Sequence, residues 1–182
     1  MKLNHLVLLG ALMTSSAACL AHKDRIITFS QQGMMTEIPA EFGPARLEVE
    51  FAARGARHPV DGVTLSLGAH VTSLPACIVA LLPSRQMAQL RAKASWYHDE
   101  SRTLPYYLGI DFAAPGAGVA RGRGTQVDML FNLRSAKLIS IRKVTVDAGD
   151  GSQRWDSMHL GRRCSAQELD AVFDPAIPLN AR

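Results

Sequence analysis

The chain contains no run approaching the roughly 20 consecutive apolar residues that a membrane-spanning helix needs, although hydrophobic residues fill 47% of its 182 positions. Those residues come in short groups separated by polar ones, the distribution of a chain that folds around a core. Aromatic residues are scarce, at 6%, and there is no block of like charge: the arginines cluster only as Arg54 and Arg57, Arg121 and Arg123, and Arg162-Arg163. A nucleic-acid binder concentrates basic residues in a stripe interleaved with aromatics, so that class is not expected. G-x-S-x-G is missing, which removes the nucleophile-elbow hydrolases. H-E-x-x-H and C-x-x-C are missing too, and with them the common zinc and dithiol sites. Gly116-Ala117-Gly118 has no third glycine in register and leads into an alternating segment rather than a helix, so it does not make a dinucleotide fingerprint. No cofactor is expected.

What is present begins with an export signal. Lys2 supplies a positive start, Leu6 to Met13 an apolar core, and Thr14 to Ala21 a run of small residues. Small side chains at Cys19 and Ala21 fit cleavage after Ala21, giving a signal peptide over residues 1–21 and a single globular domain over residues 22–182. Ser16-Ala17-Ala18-Cys19 also resembles a bacterial lipobox with Ser16 in place of the usual leucine. A lipid anchor at Cys19 is therefore the alternative. The form of the signal, an arginine count three times that of lysine and the absence of N-x-S/T sequons together point to a bacterial periplasm.

Loss of the signal peptide removes Cys19 and leaves Cys77 and Cys164. Two thiols in an oxidising compartment pair, and neither has a metal-ligand neighbour at useful spacing. The predicted bridge closes a loop of roughly 90 residues, for which the chain-entropy model gives about 4–5 kcal/mol. The formal charge of +4 falls by one with Lys2, an ordinary solubility charge.

Period-two alternation is the strongest local pattern. Leu47 to Phe51, Val63 to Leu67, Leu108 to Phe112 and Val127 to Leu133 each place apolar side chains on one face, as half-buried antiparallel strands require. Arg25 to Phe29, Val71 to Leu74, Leu138 to Val146 and Gln153 to Leu160 read as further strands. The parity slip between Ile141 and Val144 predicts a bulge near Arg142-Lys143, and Asp150-Gly151 a hairpin turn. Cys77 to Leu82 fits either a buried strand or a helical turn. A first helix is expected from Pro83-Ser84 to about His98, on the spacing of Met87, Leu90, Ala94 and Tyr97. A second opens at the capping box Ser165-Ala166-Gln167-Glu168. Ala113 to Gly124 reads as a glycine-rich loop, and residues 174–182 as an extended tail. The expected fold is α+β, an antiparallel sheet or small β-sandwich of about six to eight strands with two helices.

No catalytic constellation emerges, so the protein is not expected to be an enzyme. The leading expectation is a periplasmic binding or inhibitory protein acting by protein–protein contact, such as an immunity protein or inhibitor of a toxin or envelope enzyme. Its candidate partner-binding residues are Trp96, Tyr106, Tyr107, Arg121 and Arg123, because amphipathic aromatics and arginines dominate interfaces. One alternative is a periplasmic hydrolase, metal-dependent or other, with His98, Asp99 and Glu100 as the weak metal alternative beside His70 or His159. The other is a structural or assembly component of the envelope.

Overall fold

The alternating segments pair as the polar and apolar spacing demands. The computed structural model describes residues 25–27, 33–51, 60–83, 91–113, 125–146 and 152–178. Among them are ten strands: β1 (Arg25–Ile27), β2 (Met34–Met35), β3 (Ala45–Phe51), β4 (Val60–Leu67), β5 (His70–Ser73), β6 (Arg91–His98), β7 (Tyr106–Ala113), β8 (Thr125–Asn132), β9 (Leu138–Val146) and β10 (Gln153–Ser157). Two short helices, α1 (Ala76–Val79) and α2 (Ala166–Val172), complete the chain order. The strands form a six-stranded sheet in the order β1-β6-β7-β8-β9-β10 and a four-stranded sheet in the order β2-β3-β4-β5. All pairings within both sheets are antiparallel.

Alternation sends Ala45 and Leu47 of β3 and Val63, Leu65 and Leu67 of β4 into the same buried cluster as Leu108, Ile110 and Phe112 of β7 and Met129 and Phe131 of β8. The two sheets thus share one core. The fold is mostly β, and its strands outnumber the six to eight expected.

The expected helix from Pro83 to His98 is corrected: residues 91–98 form β6, and residues 84–90 lie outside the described residues. Ala94 and Tyr97 match a helical spacing, but Ala92, Ala94 and Trp96 match a strand equally well. The strand prevails because β6 hydrogen-bonds on both edges, to β1 and along its full length to β7, and cross-strand packing outweighs a weak helix propensity. Cys77 to Leu82 resolves as the helical turn, with α1 at its start.

The bulge also moves. Leu130 faces Ser140 whereas Phe131 faces Leu138, which leaves Ile139 as the extra residue. At Arg142-Lys143 the pairing to β8 and β10 is regular. Ile141 and Val144 differ in parity because both faces of the sheet are buried here, Ile141 toward the core and Val144, 1% exposed, on the opposite side. β9 and β10 form the expected antiparallel pair, while the Asp150-Gly151 turn and the glycine-rich loop over residues 114–124 lie outside the described residues.

The capping box forms as expected. Glu168 N donates to Ser165 Oγ, and Ser165 N donates to Glu168 Oε2 at 2.7 Å. The Ser165 backbone amide, and after it the Ser165 hydroxyl, hold the Glu168 carboxyl below its usual range. Leu169, Val172 and Phe173 then reach the core. The expected disulfide joins Cys77 in α1 to Cys164 just ahead of α2, with Cα atoms 5.5 Å apart. No helix among the described residues is long and apolar enough to cross a membrane.

Asp174, the first residue of the expected tail, is 5% exposed, and its amide donates to Leu138 O at 2.7 Å. Phe173 makes a parallel bridge to Leu138. The chain beyond α2 is therefore stitched to β9 before the tail begins.

Replacing both Cys77 and Cys164 by serine is expected to lower unfolding free energy by about 2–5 kcal/mol. Urea titration checks this, and reduction of the wild type should bring its midpoint down to that of the variant.

Candidate functional site

One end of the molecule is built by a close backbone crossing. A 3-10 turn over Ala40–Phe42 ends at Gly43, whose φ is 75°, and the turn between β4 and β5 contains Gly68 at φ 57°. A β-carbon on Gly43 would lie 2.8 Å from Gly68 Cα, and one on Gly68 would lie 3.1 Å from Phe42 O. Both positions therefore need glycine, for the left-handed backbone and for the contact. The amide of Gly68 donates to Pro44 O at 2.9 Å and that of Gly43 to Ala40 O at 3.0 Å, which locks the crossing. Phe42, just before it, is held with its ring centroid 5.4 Å from that of Tyr106, the first residue of β7.

The turn between β8 and β9 delivers the next group. The Arg134 amide donates to Asn132 Oδ1 at 2.9 Å, while Asn132 Nδ2 and Ser135 Oγ both donate to Asp174 Oδ2, at 2.8 and 2.9 Å. Ala136 follows at φ 56°. So braced, Arg134 holds its guanidinium carbon 4.8 Å from the Tyr106 ring centroid and 5.8 Å from that of Phe42. Each such cation–π contact contributes about 0.5–1 kcal/mol at an exposed site.

His98 stacks on Tyr106 at 4.3 Å and 11°, a consequence of their facing positions on β6 and β7. Glu100 Oε1 lies 3.8 Å from His98 Nε2. Beside this ladder is a concavity of about 300 Å³ whose walls include Glu41, Phe42, Leu67, His70, Leu133 and Arg134.

A second polar assembly lies on the face of the six-stranded sheet turned away from the core. Strand register sets Lys93, Asp111, Asp128 and Arg142 opposite one another on β6, β7, β8 and β9. Asp128, more than nine-tenths buried, accepts from Arg142 Nε at 2.9 Å and Nη2 at 2.5 Å. The Arg142 guanidinium also sits 4.6 Å from the ring of Trp155, a residue of β10 that is 46% exposed. Asp111 is half-buried beside Asp128. Burial, then the charge of Asp128 and a hydrogen bond with it, push the Asp111 carboxyl up from 3.8 to about 6, against the weaker pull of Lys93 and Arg142. Toward the other end of this face Tyr97 stacks on Tyr107 at 5.1 Å. The missing side chain of Gly109 leaves room for the Tyr97 ring, since a β-carbon there would come within 3.2 Å of it.

The residues singled out from the sequence are distributed between these places. Tyr106 is at the centre of the end cluster. Tyr107 is buried on the outer face, with Arg102 5.5 Å from its ring. Trp96 turns inward and packs against the core. Arg121 and Arg123 lie outside the described residues.

His98 and Glu100 come together, but Asp99 is committed to its own turn. It accepts from Ser101 Oγ at 2.6 Å and Arg102 Nε at 3.0 Å, and the Ser101 hydroxyl chiefly holds its carboxyl below the ordinary range. Among the described residues no three His, Cys, Asp or Glu side chains converge as metal ligands would. His70 lines the end concavity, and His159 lines a separate one with Arg162 and Arg163.

Sequence reasoning missed Phe42, Arg134, Asp174 and the Asp111–Asp128 pair. Only the last had a readable signal: two aspartates of matching parity on successive alternating strands. No family model, curated protein or solved structure matches this chain.

Two outcomes are expected. Asp174→Ala strands the Asn132 amide and the Ser135 hydroxyl and should cost about 1–3 kcal/mol in urea unfolding, while Asp174→Asn should recover part of it. For Asp111, the folded pKa lies above the unfolded one, so the folded chain holds the extra proton. The stability this contributes is complete below pH 3.8 and is lost as pH rises through about 6. Asp111→Asn should therefore match the wild type near pH 3.8 and exceed it above pH 6. Urea midpoints across that range check this, and parallel curves would refute the coupling.

Proposed function

We propose that the protein is exported to the periplasm and acts by contact, as a binding or inhibitory protein of the immunity-protein kind that occupies a toxin or an envelope enzyme. The observation that carries this reading is the placement of Arg134 over Tyr106 and Phe42 at one end of the two sheets, beside a concavity. Arginine and tyrosine supply most binding hot spots, and a side chain already fixed in its bound geometry loses less entropy on docking. An N-terminus of export form and a disulfide of the kind oxidising compartments sustain support the location. The partner's contact residue enters the concavity, and no bond is made or broken.

A hydrolase is the second reading, and the observation that favours it is the Asp111–Asp128 pair, in which one carboxyl is pushed up to about 6, toward the range of a general acid. The engagement of Asp128 with Arg142 places this reading second. Two carboxyls within hydrogen-bonding reach are also too close to flank a glycosidic bond, which needs roughly 5 Å or more between them.

Affinity capture from periplasmic extract tests the first reading, with wild type and a Tyr106→Ala, Arg134→Ala double variant compared side by side. A protein retained by the wild type and lost from a variant of unchanged melting temperature supports it. Recovery of the same protein at equal yield by both, or of none by the wild type, overturns it.

A further inference from the structure

The arginines of the described chain fall into two groups. Arg46, Arg102, Arg142 and Arg154 each hold a carboxylate of their own. Arg134, like Arg162 and Arg163, holds none among the described residues, although Glu41 lines the same concavity. Its guanidinium is instead laid against Tyr106 and Phe42, at 4.8 and 5.8 Å from the ring centroids. A guanidinium in that position is shielded from water on its ring side, and the N–H groups along its edge remain as a preset fork. Such a fork matches a planar oxyanion in two parallel hydrogen bonds.

We infer that the concavity walled by Phe42, Leu67, His70, Leu133 and Arg134 is a binding site for a carboxylate, gripped by Arg134 with His70 also in its lining. The Gly43 and Gly68 amides are already bonded to Ala40 O and Pro44 O, and Arg134 and His70 are the side chains of the lining that can donate to an oxyanion. Glu41, which also lines the concavity, sets the charge of the ligand: one negative charge is balanced by Arg134, and a second meets Glu41, so a carboxylate is preferred to a phosphate dianion. The volume, about 300 Å³, is at the small end of ligand sites and suits a single side chain or chain terminus.

This inference rests on the contact reading and names the chemistry of the partner's anchoring group. That group is an Asp or Glu side chain, a C-terminal carboxylate, or the carboxylate of a small free acid.

The test is a titration of the folded protein followed by NMR, reading the Arg134 Nε–H signal and the amides of Gly68 and Ala69. The probes are propionate, inorganic phosphate, acetyl-trialanine with a free C-terminus, and acetyl-Ala-Glu-Ala amide. Saturable shifts are expected with propionate and with at least one peptide, and the better of the two peptides identifies the terminus or the side chain as the source. Tight propionate binding with neither peptide bound assigns the site to free acids.

Arg134→Gln should weaken propionate binding about tenfold or more, as loss of a charge-assisted pair requires. Glu41→Gln should tighten it roughly two- to fivefold. Absence of a saturable shift, phosphate binding tighter than propionate, or unchanged binding in Arg134→Gln overturns the assignment. If no carboxylate binds yet the double variant still loses its captured protein, this inference fails and the contact reading stands. If propionate binds and capture is indifferent to Arg134, the site stands and the contact reading fails.

Discussion

The register of β7 against β8 is held by Leu108, Ile110 and Phe112, all 0% exposed, packing beside Met129 and Phe131. Each of these side chains contributes about 1.5–3 kcal/mol by leaving water. A slip of one residue would exchange them for Tyr107, Gly109 and Asp111. That same register sets Asp111 directly opposite Asp128, a like-charge arrangement that costs roughly 0.2–1 kcal/mol across a strand pair. Core burial outweighs the repulsion several times over, so the carboxyls stay together, and the Asp111 carboxyl is pushed up to about 6. Arg142 on the next strand offsets what remains.

The alternation that fills the core also places Tyr106 at the very start of β7, where it belongs half to the core and half to the surface. Three separate pieces of chain meet on it: the 3-10 turn carrying Phe42, the end of β6 carrying His98, and the β8–β9 turn carrying Arg134. Neither the 3-10 turn nor the β8–β9 turn is held by its own sequence alone, and the end of β6 is set by its pairing with β7. The first is locked by a glycine crossing from the β4–β5 turn, and the third by a carboxylate 42 residues downstream of Asn132.

Local features were legible in the sequence because their causes are local. Period-two alternation marked the strands, and the Ser165 and Glu168 spacing marked the cap. Cysteine arithmetic marked the disulfide once Cys19 was assigned to the signal peptide. Residues 91–98 were misread because alanine, lysine and serine fit both periodicities, and only the neighbours on either edge decide between them. The slip at Val144 looked like a bulge because alternation assumes one buried face, whereas this sheet buries residues on both. The end cluster was hidden for a different reason: Phe42-Gly43, Gly68 and Arg134 come from separate parts of the chain and each has an ordinary reading where it stands, so that only Tyr106 was marked, by its residue type.

The bracing of the β8–β9 turn by Asp174 has a consequence for the order of assembly. Asn132 and Ser135 are braced by a residue that lies some forty positions after them in the chain. A chain synthesised N-terminus first would have the strands of its two sheets available before Arg134 is fixed over its rings. Maturation of the end cluster is thereby tied to docking of the C-terminal segment, and a molecule cut short before Asp174 would display the scaffold without a formed tip.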